Sequence, residues 1–222
     1  MKTIAIIPAR GGSKRLPGKN VMPLGDHPLL VHSIRYAQAH RDIIDEIYVT
    51  TDNDAIKSLA RENGARVIDR PEHLSGDLEP TASALKHVLQ VVGGIDNVVL
   101  LQPTNPLRPP GLLAEAFSVF TSEDCTSLFT VTRNEQKFGK IVHRKFVPFN
   151  YEIGQRSQDL EPLYFENGLL YISRAELILN DKILDENAYP MVVNHIFASV
   201  DIDSQSDFEY AAYLWSKNKS SL

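Results

Sequence analysis

The sequence predicts an α/β fold in which a mostly parallel sheet is flanked by helices. Short runs rich in Ile and Val alternate with longer segments whose apolar residues recur at helical spacing, which is the pattern of successive strand–helix units. One run, Asn97 to Leu101, is apolar almost throughout, as in a parallel strand buried on both faces. The length of 222 residues suits one domain, so residues 1–222 are assigned to a single unit.

Strands and helices alternate in order as far as Val131. The predicted strands are residues 4–7, 46–50, 66–68, 97–101 and 126–131. The predicted helices are residues 28–40, a segment that starts at Asp52 and ends at 63–64, and residues 81–92 and 111–120. Asp52 is expected to cap the second helix, because an Asp side chain can accept a hydrogen bond from a free N–H group of the first turn.

The pattern changes after Thr132, where short aromatic runs alternate with charged residues and helical periodicity is weak. We interpret residues 134–166 as an excursion from the sheet whose exposed aromatic side chains cover a partner subunit. Those aromatics are Phe146, Phe149 and Tyr151. Further strands are expected at residues 168–172 and within 192–200, and helices at 176–179 and from the region of Ser204 to Trp215.

Composition excludes several classes of function. The net charge of −5 argues against a nucleic-acid-coating or membrane-surface role, since both need a cationic face. A single cysteine excludes an intrachain disulfide, and there is no Cys cluster for zinc. No signal-peptide layout and no apolar stretch long enough to cross a bilayer are found. A cytoplasmic enzyme is therefore expected, with neither nucleic acid nor membrane as a partner.

A glycine-rich, cationic loop follows the first strand. Glycines let backbone N–H groups approach an oxyanion closely, and the cations neutralise phosphate charge. The spacing matches neither the Walker pattern nor the dinucleotide motif. The loop predicts a site for a small anionic ligand, and a solvated basic turn is the alternative. Its glycines and cations are Arg10, Gly11, Gly12, Lys14, Arg15, Gly18 and Lys19.

Two further motifs follow strands. Residues 102–108 come directly after the apolar strand, and in open α/β sheets ligands bind beyond the carboxyl ends of strands. Asp201 and Asp203 alternate at another strand end, so both carboxylates face the same side, at a spacing that suits Mg²⁺. The alternative is that Asp203 begins a helix cap and Asp201 is solvated. An anion-binding loop beside a metal-ready carboxylate pair predicts nucleotidyl transfer.

Four segments together resemble the acylneuraminate cytidylyltransferases, or CMP-sialic acid synthetases. They are Pro8–Asn20, Leu100–Arg108, Asn167–Tyr171 and Val200–Asp203, and they occur in the family's order over essentially the whole chain. The resemblance implies a nucleotide-binding sheet like that of glycosyltransferase-A proteins, with a small dimerisation subdomain in a homodimer. It also implies that CTP and a nine-carbon 2-keto sugar acid react to a CMP-sugar and pyrophosphate, with Mg²⁺ bridging the phosphates.

The resemblance further implies a role for individual residues. Those on the triphosphate side are Arg10, Gly11, Gly12, Ser13, Lys19 and Asn20, of which Arg10 and Lys19 are catalytic. Those near the cytosine are Arg70, Thr81 and Ser83. Those on the sugar acid are Gln102, Tyr171 and Arg156, whose planar guanidinium suits the substrate carboxylate. Asp201 and Asp203 would hold the metal, and Asp203 is also assigned to the catalytic residues. No general base stands out from the residues themselves: Asp203 and a metal-bound hydroxide are the candidates to accept the proton of the anomeric hydroxyl, and the sequence does not decide between them.

One departure from the family bears on the substrate. Some members carry Arg just before the Asn-Gly pair, where this chain has Glu166. We therefore hypothesise that the sugar acid is a relative of N-acetylneuraminate, such as legionaminic acid or an amino-octulosonate. The roles of Lys14, Arg15, Lys137 and Lys140 are left open between ligand contact and surface charge.

Three alternative functions remain open from the sequence. The first is a 3-deoxy-octulosonate or 8-amino-octulosonate cytidylyltransferase. The second is a sugar-1-phosphate nucleotidylyltransferase that uses another NTP. The third is a non-catalytic CTP-binding regulator.

Overall fold

A seven-stranded sheet forms the centre of the protein in the computed structural model, which describes residues 1–219. Its strands are β1 (Thr3–Pro8), β4 (Glu46–Thr51), β5 (Arg66–Asp69), β6 (Asn97–Leu100), β7 (Ser127–Arg133), β10 (Tyr164–Arg174) and β11 (Tyr189–Val192). Two short antiparallel pairs lie outside it, β2 (Pro23–Leu24) with β3 (His27–Pro28), and β8 (Gly139–Val142) with β9 (Lys145–Pro148). The α-helices are α1 (Leu29–Gln38), α2 (Asp54–Glu62), α3 (Thr81–Val92), α4 (Leu112–Ser122), α5 (Ala175–Leu179) and α6 (Gln205–Asn218).

The strand order is β11-β7-β10-β6-β1-β4-β5. Strands β6, β1, β4 and β5 are parallel neighbours, and β11 is parallel to β7. Strand β10 is antiparallel to both β6 and β7, so it runs against the rest of the sheet. The mostly parallel α/β fold predicted from the sequence is confirmed, and the reversed strand is an addition to it.

Strand β1 lies inside the sheet, between β6 and β4, and is buried on both faces. Ala5 and Ile7 pack into a core with residues of α1, α2 and α4, while Ile4 and Ile6 pack on the other face with residues of α3 and α5. All four side chains have no exposed surface. This burial explains the unbroken apolar run and fixes where the cationic loop after β1 leaves the sheet.

Three local predictions were wrong. Asn53, not Asp52, caps α2, because its side chain accepts from the N–H of Ile56 at 3.1 Å. The expected strand within residues 192–200 ends at Val192 and is followed by a 3-10 helix over Ile196–Ser199. Tyr151 is partly buried, since its ring contacts that of Phe146 and lies under the ammonium of Lys137.

The β8–β9 hairpin presents an exposed apolar surface. Phe146 and Phe149 are exposed as expected, and Ile141 has 82% of its surface accessible. Residues 164–166, placed by the sequence in the excursion, belong to the start of β10. No helix within residues 1–219 has both the length and the apolar composition that a membrane span requires.

Candidate active site

Three adjoining cavities open beyond the carboxyl ends of β1 and β6, where the fold predicts a ligand site. The central cavity, about 310 Å³, is lined by residues that include Arg10, Arg70, Thr81, Gln102, Asp201 and Asp203. The loop cavity, about 410 Å³, is lined by residues that include Ser13, Lys14, Arg15, Lys19, Asn20 and Asp203. The side cavity, about 500 Å³, is lined by Gln102, Asn105, Phe165, Glu166, Asn167, Gly168, Tyr171, Ala198, Ser199 and Asp201.

The two predicted carboxylates lie where these cavities meet. Asp203 is shared by the central and loop cavities, and Asp201 by the central and side cavities. Ile202 between them is fully buried in the core under α6, so the expected alternation of side chains is present. The helix cap is Ser204, which forms a capping box with Asp207, so the alternative in which Asp203 caps α6 is wrong.

Asp203 joins the cationic loop to the segment before α6, which is not a strand in the structure. Lys19 Nζ donates to Asp203 Oδ1 and to the carbonyl of Ile202, both at 2.9 Å, and Arg15 donates to Asp203 Oδ2 at 2.6 Å. The Lys19 side chain is only 12% exposed. Two segments separated by more than 180 residues are thus held together by charge-assisted bonds, which are stronger than neutral ones.

Asp201 is in a different electrostatic environment. Arg15 and Lys19 pair with Asp203 rather than with Asp201. Burial, and after it the negative charge of Asp203, raise the pKa of the Asp201 carboxyl. Asp201 forms no salt bridge among the described residues, although the charge of Lys19 partly offsets the rise in its pKa, so its carboxylate is suited to bind a cation.

The donor set fits Mg²⁺ better than a metal held by protein alone. Within residues 1–219, no group of three or more His, Cys, Asp and Glu side chains is placed to hold a metal ion. Mg²⁺ needs only one or two carboxylates when substrate phosphates and waters supply its other ligands. Asp201 and Asp203, beside a cavity lined with cations, match that requirement.

The cations Arg10 and Lys14 bind a residue that sequence reasoning missed. Asp77 accepts from Arg10 at 3.0 Å and also pairs with Lys14, and Arg10 donates to the carbonyl of Gly76 at 2.8 Å. The hydrogen bond from Lys14 is the main reason that the pKa of Asp77 is lowered. The only sequence signal was the place of Asp77 in the polar loop before Thr81.

Gly11 is required by a close approach to α2. A Cβ atom at this position would lie 2.8 Å from Cβ of Asn53, and the Gly11 N–H donates to Asp52 Oδ1 at 2.8 Å. Gly12 has open space around it. The amide of Gly11 is therefore already bonded within the protein.

Asn20 is buried and donates to the carbonyl of Arg10 at 3.1 Å. It therefore supports the cationic loop and also lines the loop cavity.

The loop after β6 is held by two buried polar side chains. Asn105 donates to the carbonyls of Val200, at 2.7 Å, and Asn167, at 3.1 Å. The guanidinium of Arg108 donates to the carbonyls of Leu169 and Gln102 and to the hydroxyl of Ser33. Burial lowers the pKa of Arg108 to about 10. These bonds fix Gln102 and Asp201 relative to β10.

The residues expected near the base are only partly brought together. Arg70 and Thr81 line the central cavity, whereas Ser83 does not and donates to the carbonyl of Pro80 at 2.8 Å. Arg70 is buried and donates to the carbonyl of Thr50 at 2.6 Å. Burial, opposed by the charge of Asp52, lowers the pKa of Arg70 to about 10.

On the sugar side, the structure brings Gln102 and Tyr171 together but not Arg156. Tyr171 donates to Glu166 Oε2 at 2.9 Å, and burial with the Glu166 charge raises the pKa of the Tyr171 hydroxyl. Arg156 donates to both carboxylate oxygens of Asp159, at 2.8 and 3.1 Å, and lines none of the three cavities. Its contact with the sugar acid stays a prediction.

The chain belongs to the cytidylyltransferase family. A sequence model of that family matches residues 4–220. This result agrees with the resemblance drawn from the four motifs.

Two relatives and one solved structure are particularly similar. N-acylneuraminate cytidylyltransferase of Streptococcus agalactiae strain NEM316 is 33% identical over 216 residues, which are 94% of this chain and 52% of that protein. This chain thus spans about half the length of that relative. CMP-N,N'-diacetyllegionaminic acid synthase of Legionella pneumophila is 32% identical, with both chains fully covered. The structure of CMP:2-keto-3-deoxy-manno-octonic acid synthetase superposes with a TM-score of 0.74, over 98% of this chain and all of that one, at 17% identity.

Proposed function

We propose that this chain transfers the cytidylyl group of CTP to a nine-carbon 2-keto sugar acid. The anomeric hydroxyl oxygen attacks the α-phosphorus, the bond to the bridging oxygen breaks, and CMP-sugar and pyrophosphate are the products. Family membership and the names of the two relatives support this reaction. The observation that carries it is the position of Asp201 and Asp203 at the junctions of a cation-lined cavity with two others.

Each of the three cavities would bind a different part of the two substrates. The loop cavity, with Arg10, Ser13 and Lys19, would take the triphosphate, because its cations can stabilise phosphate charge. The central cavity, with Arg70 and Thr81, would take the nucleoside. The side cavity, which shares Gln102 and Asp201 with the central one, would take the sugar acid. The α-phosphorus joins the nucleoside to the other two phosphates, so the anomeric hydroxyl would reach it through the part of the central cavity that Gln102 and Asp201 share with the side cavity.

The carboxylates have separate roles in this scheme. Together they would hold Mg²⁺, which when bound supplies positive charge to the phosphates. Asp203 orients Lys19 and Arg15 toward the loop cavity. Asp201 lines the side cavity, so it is the carboxylate placed to accept the proton of the anomeric hydroxyl. This differs from the two candidates that the sequence leaves open, Asp203 and a metal-bound hydroxide.

A pyrophosphate-release screen tests the proposed function. The four NTPs are each combined with Mg²⁺ and a panel containing N-acetylneuraminate, legionaminate, pseudaminate, 3-deoxy-octulosonate and its 8-amino form. We expect release with CTP and a nine-carbon acid. Release only with an eight-carbon acid, or only with another NTP, would replace the proposal by the corresponding alternative. CTP binding without release from any acid would favour a regulator.

We also propose that the enzyme is a homodimer in the cytoplasm, where CTP is made. A two-stranded hairpin is marginally stable alone, and β8–β9 presents apolar side chains that a second copy would cover. Its most exposed apolar side chains, with those next to it in the chain, are Ile141, Phe146, Phe149 and Ile153. Contact through the β8–β9 hairpin would also bring Arg156 of one protomer close to the second protomer.

Ile141→Glu is expected to convert the dimer to a monomer, because a charge would have to be buried in an apolar interface. Light scattering coupled to gel filtration measures the mass directly. Val91→Glu, at an exposed apolar position on α3, is the matched control and should stay dimeric. A wild-type protein that is monomeric at micromolar concentration would reject the dimer.

A further inference from the structure

Glu166 is a carboxylate in the side cavity that the proposed reaction does not use. Strand β10 loses its register with β7 between Glu166 and Tyr171, and Gly168 has a φ of +75° within this irregularity. The hydroxyl of Tyr171 then reaches Glu166 Oε2 at 2.9 Å. Glu166 is exposed to solvent, and the bulge and this hydrogen bond place its side chain in the lining of the cavity.

The cavity around Glu166 carries an excess of negative charge. Its lining contains two carboxylates, Glu166 and Asp201, and no Lys, Arg or His among the residues that the structure describes. Tyr171 occupies one oxygen of Glu166, and within residues 1–219 the other oxygen, Oε1, receives no hydrogen bond. Because Glu166 lines the side cavity, this oxygen can accept a hydrogen bond from a ligand there. A carboxylate here favours a substrate group that donates hydrogen bonds and disfavours an anionic one.

We propose that Glu166 determines specificity by accepting a hydrogen bond from an amino or acylamino N–H group of the sugar acid. This inference depends on the proposed function, since the side cavity must take the sugar. A protonated amine would bind more strongly than a neutral amide, because hydrogen bonds between charged partners are about twice as strong as neutral ones. Phe165 and Ala198 in the same lining supply apolar surface for the methyl group of an acyl substituent.

Matched substrates separate this role from a structural one. Three sugar acids that differ at one carbon only, carrying a hydroxyl, an amino or an acetamido group, are compared by kcat/KM with saturating CTP. Where the best acid of the pyrophosphate screen carries nitrogen at several carbons, the same three-way comparison is made at each of those carbons. The wild-type enzyme should prefer a nitrogen-bearing acid over its hydroxyl analogue by about tenfold at one carbon. A larger ratio for the free amine than for the acetamide identifies the charged donor.

Glu166→Gln should reduce that preference to within about threefold and leave KM for CTP unchanged. Glu161→Gln, an exposed glutamate outside the lining, is the control and should keep the wild-type ratio. Equal ratios in wild type and Glu166→Gln, or a wild-type preference for the hydroxyl acids, would overturn the assignment while leaving the proposed function standing. No pyrophosphate from any acid would overturn both.

Discussion

Asp203→Asn is expected to lower kcat by about a hundredfold or more without unfolding the protein. The substitution removes a charge that would hold Mg²⁺ and that orients Lys19 and Arg15 in the loop cavity. A bound metal contributes several kcal/mol to stabilising transition-state charge, and each 1.4 kcal/mol corresponds to about a factor of ten in rate. Initial rates of pyrophosphate release over a range of Mg²⁺ concentrations are the measurement, and high Mg²⁺ should rescue part of the loss.

Asp181→Asn is the matched control for this variant. Asp181 pairs with Lys86, neither residue lines any of the three cavities, and the left-handed backbone of Asp181 is tolerated by Asn. Its activity should equal that of the wild type. If Asp203→Asn retained normal kcat and normal dependence on Mg²⁺, the assignment of Asp203 to the metal would be wrong.

Gly168→Ala is expected to destabilise the protein by about 2–5 kcal/mol. The left-handed φ of +75° costs a residue with a Cβ roughly 1–2 kcal/mol, and forcing extra atoms into packed space adds about 1–3 kcal/mol. The new Cβ would lie 2.8 Å from Oδ1 of Asn105. Since Asn105 binds the carbonyl of Val200, next to Asp201, the loss should include activity as well as stability.

Urea denaturation measures the loss in the free energy of unfolding. The control is a variant with a similar unfavourable φ but without the steric collision. Gly94, just after α3, has a φ of +63° and open space where a Cβ would be added. Gly94→Ala should therefore cost only about 1–2 kcal/mol. Equal losses in the two variants would show that the collision with Asn105 is relieved without cost.

The sequence predicted those parts of the site that depend on local pattern. The loop after β1 could be found because an apolar strand, glycines and cations are contiguous in the chain. Asp201 and Asp203 could be found because alternate residues of an extended segment share a side, and burial of Ile202 fixes which side that is. The family resemblance then supplied roles that the pattern alone did not.

Features that depend on distant pairing were not predictable in the same way. The reversal of β10 depends on its pairing with β6 and β7, and a short apolar run does not reveal its partner or direction. The contact of Asp77 with Arg10 spans more than 60 residues. The error at Asp52 has a different origin. Asp and Asn are both good N-cap residues, and a shift of one residue in the start of the helix decides whether Asp52 or Asn53 is the cap.

The pairing of the loop cations has a consequence for how the site responds to ionic strength. The cations on the N-terminal loop have carboxylate partners, Asp77 on one side and Asp203 on the other. An incoming triphosphate therefore exchanges one set of counter-charges for another instead of neutralising bare cations. Most of these pairs are exposed, so each contributes about 0–1 kcal/mol, and added salt weakens the old contacts along with the new. Nucleotide affinity should consequently vary less with salt than the number of cations in the loop would suggest.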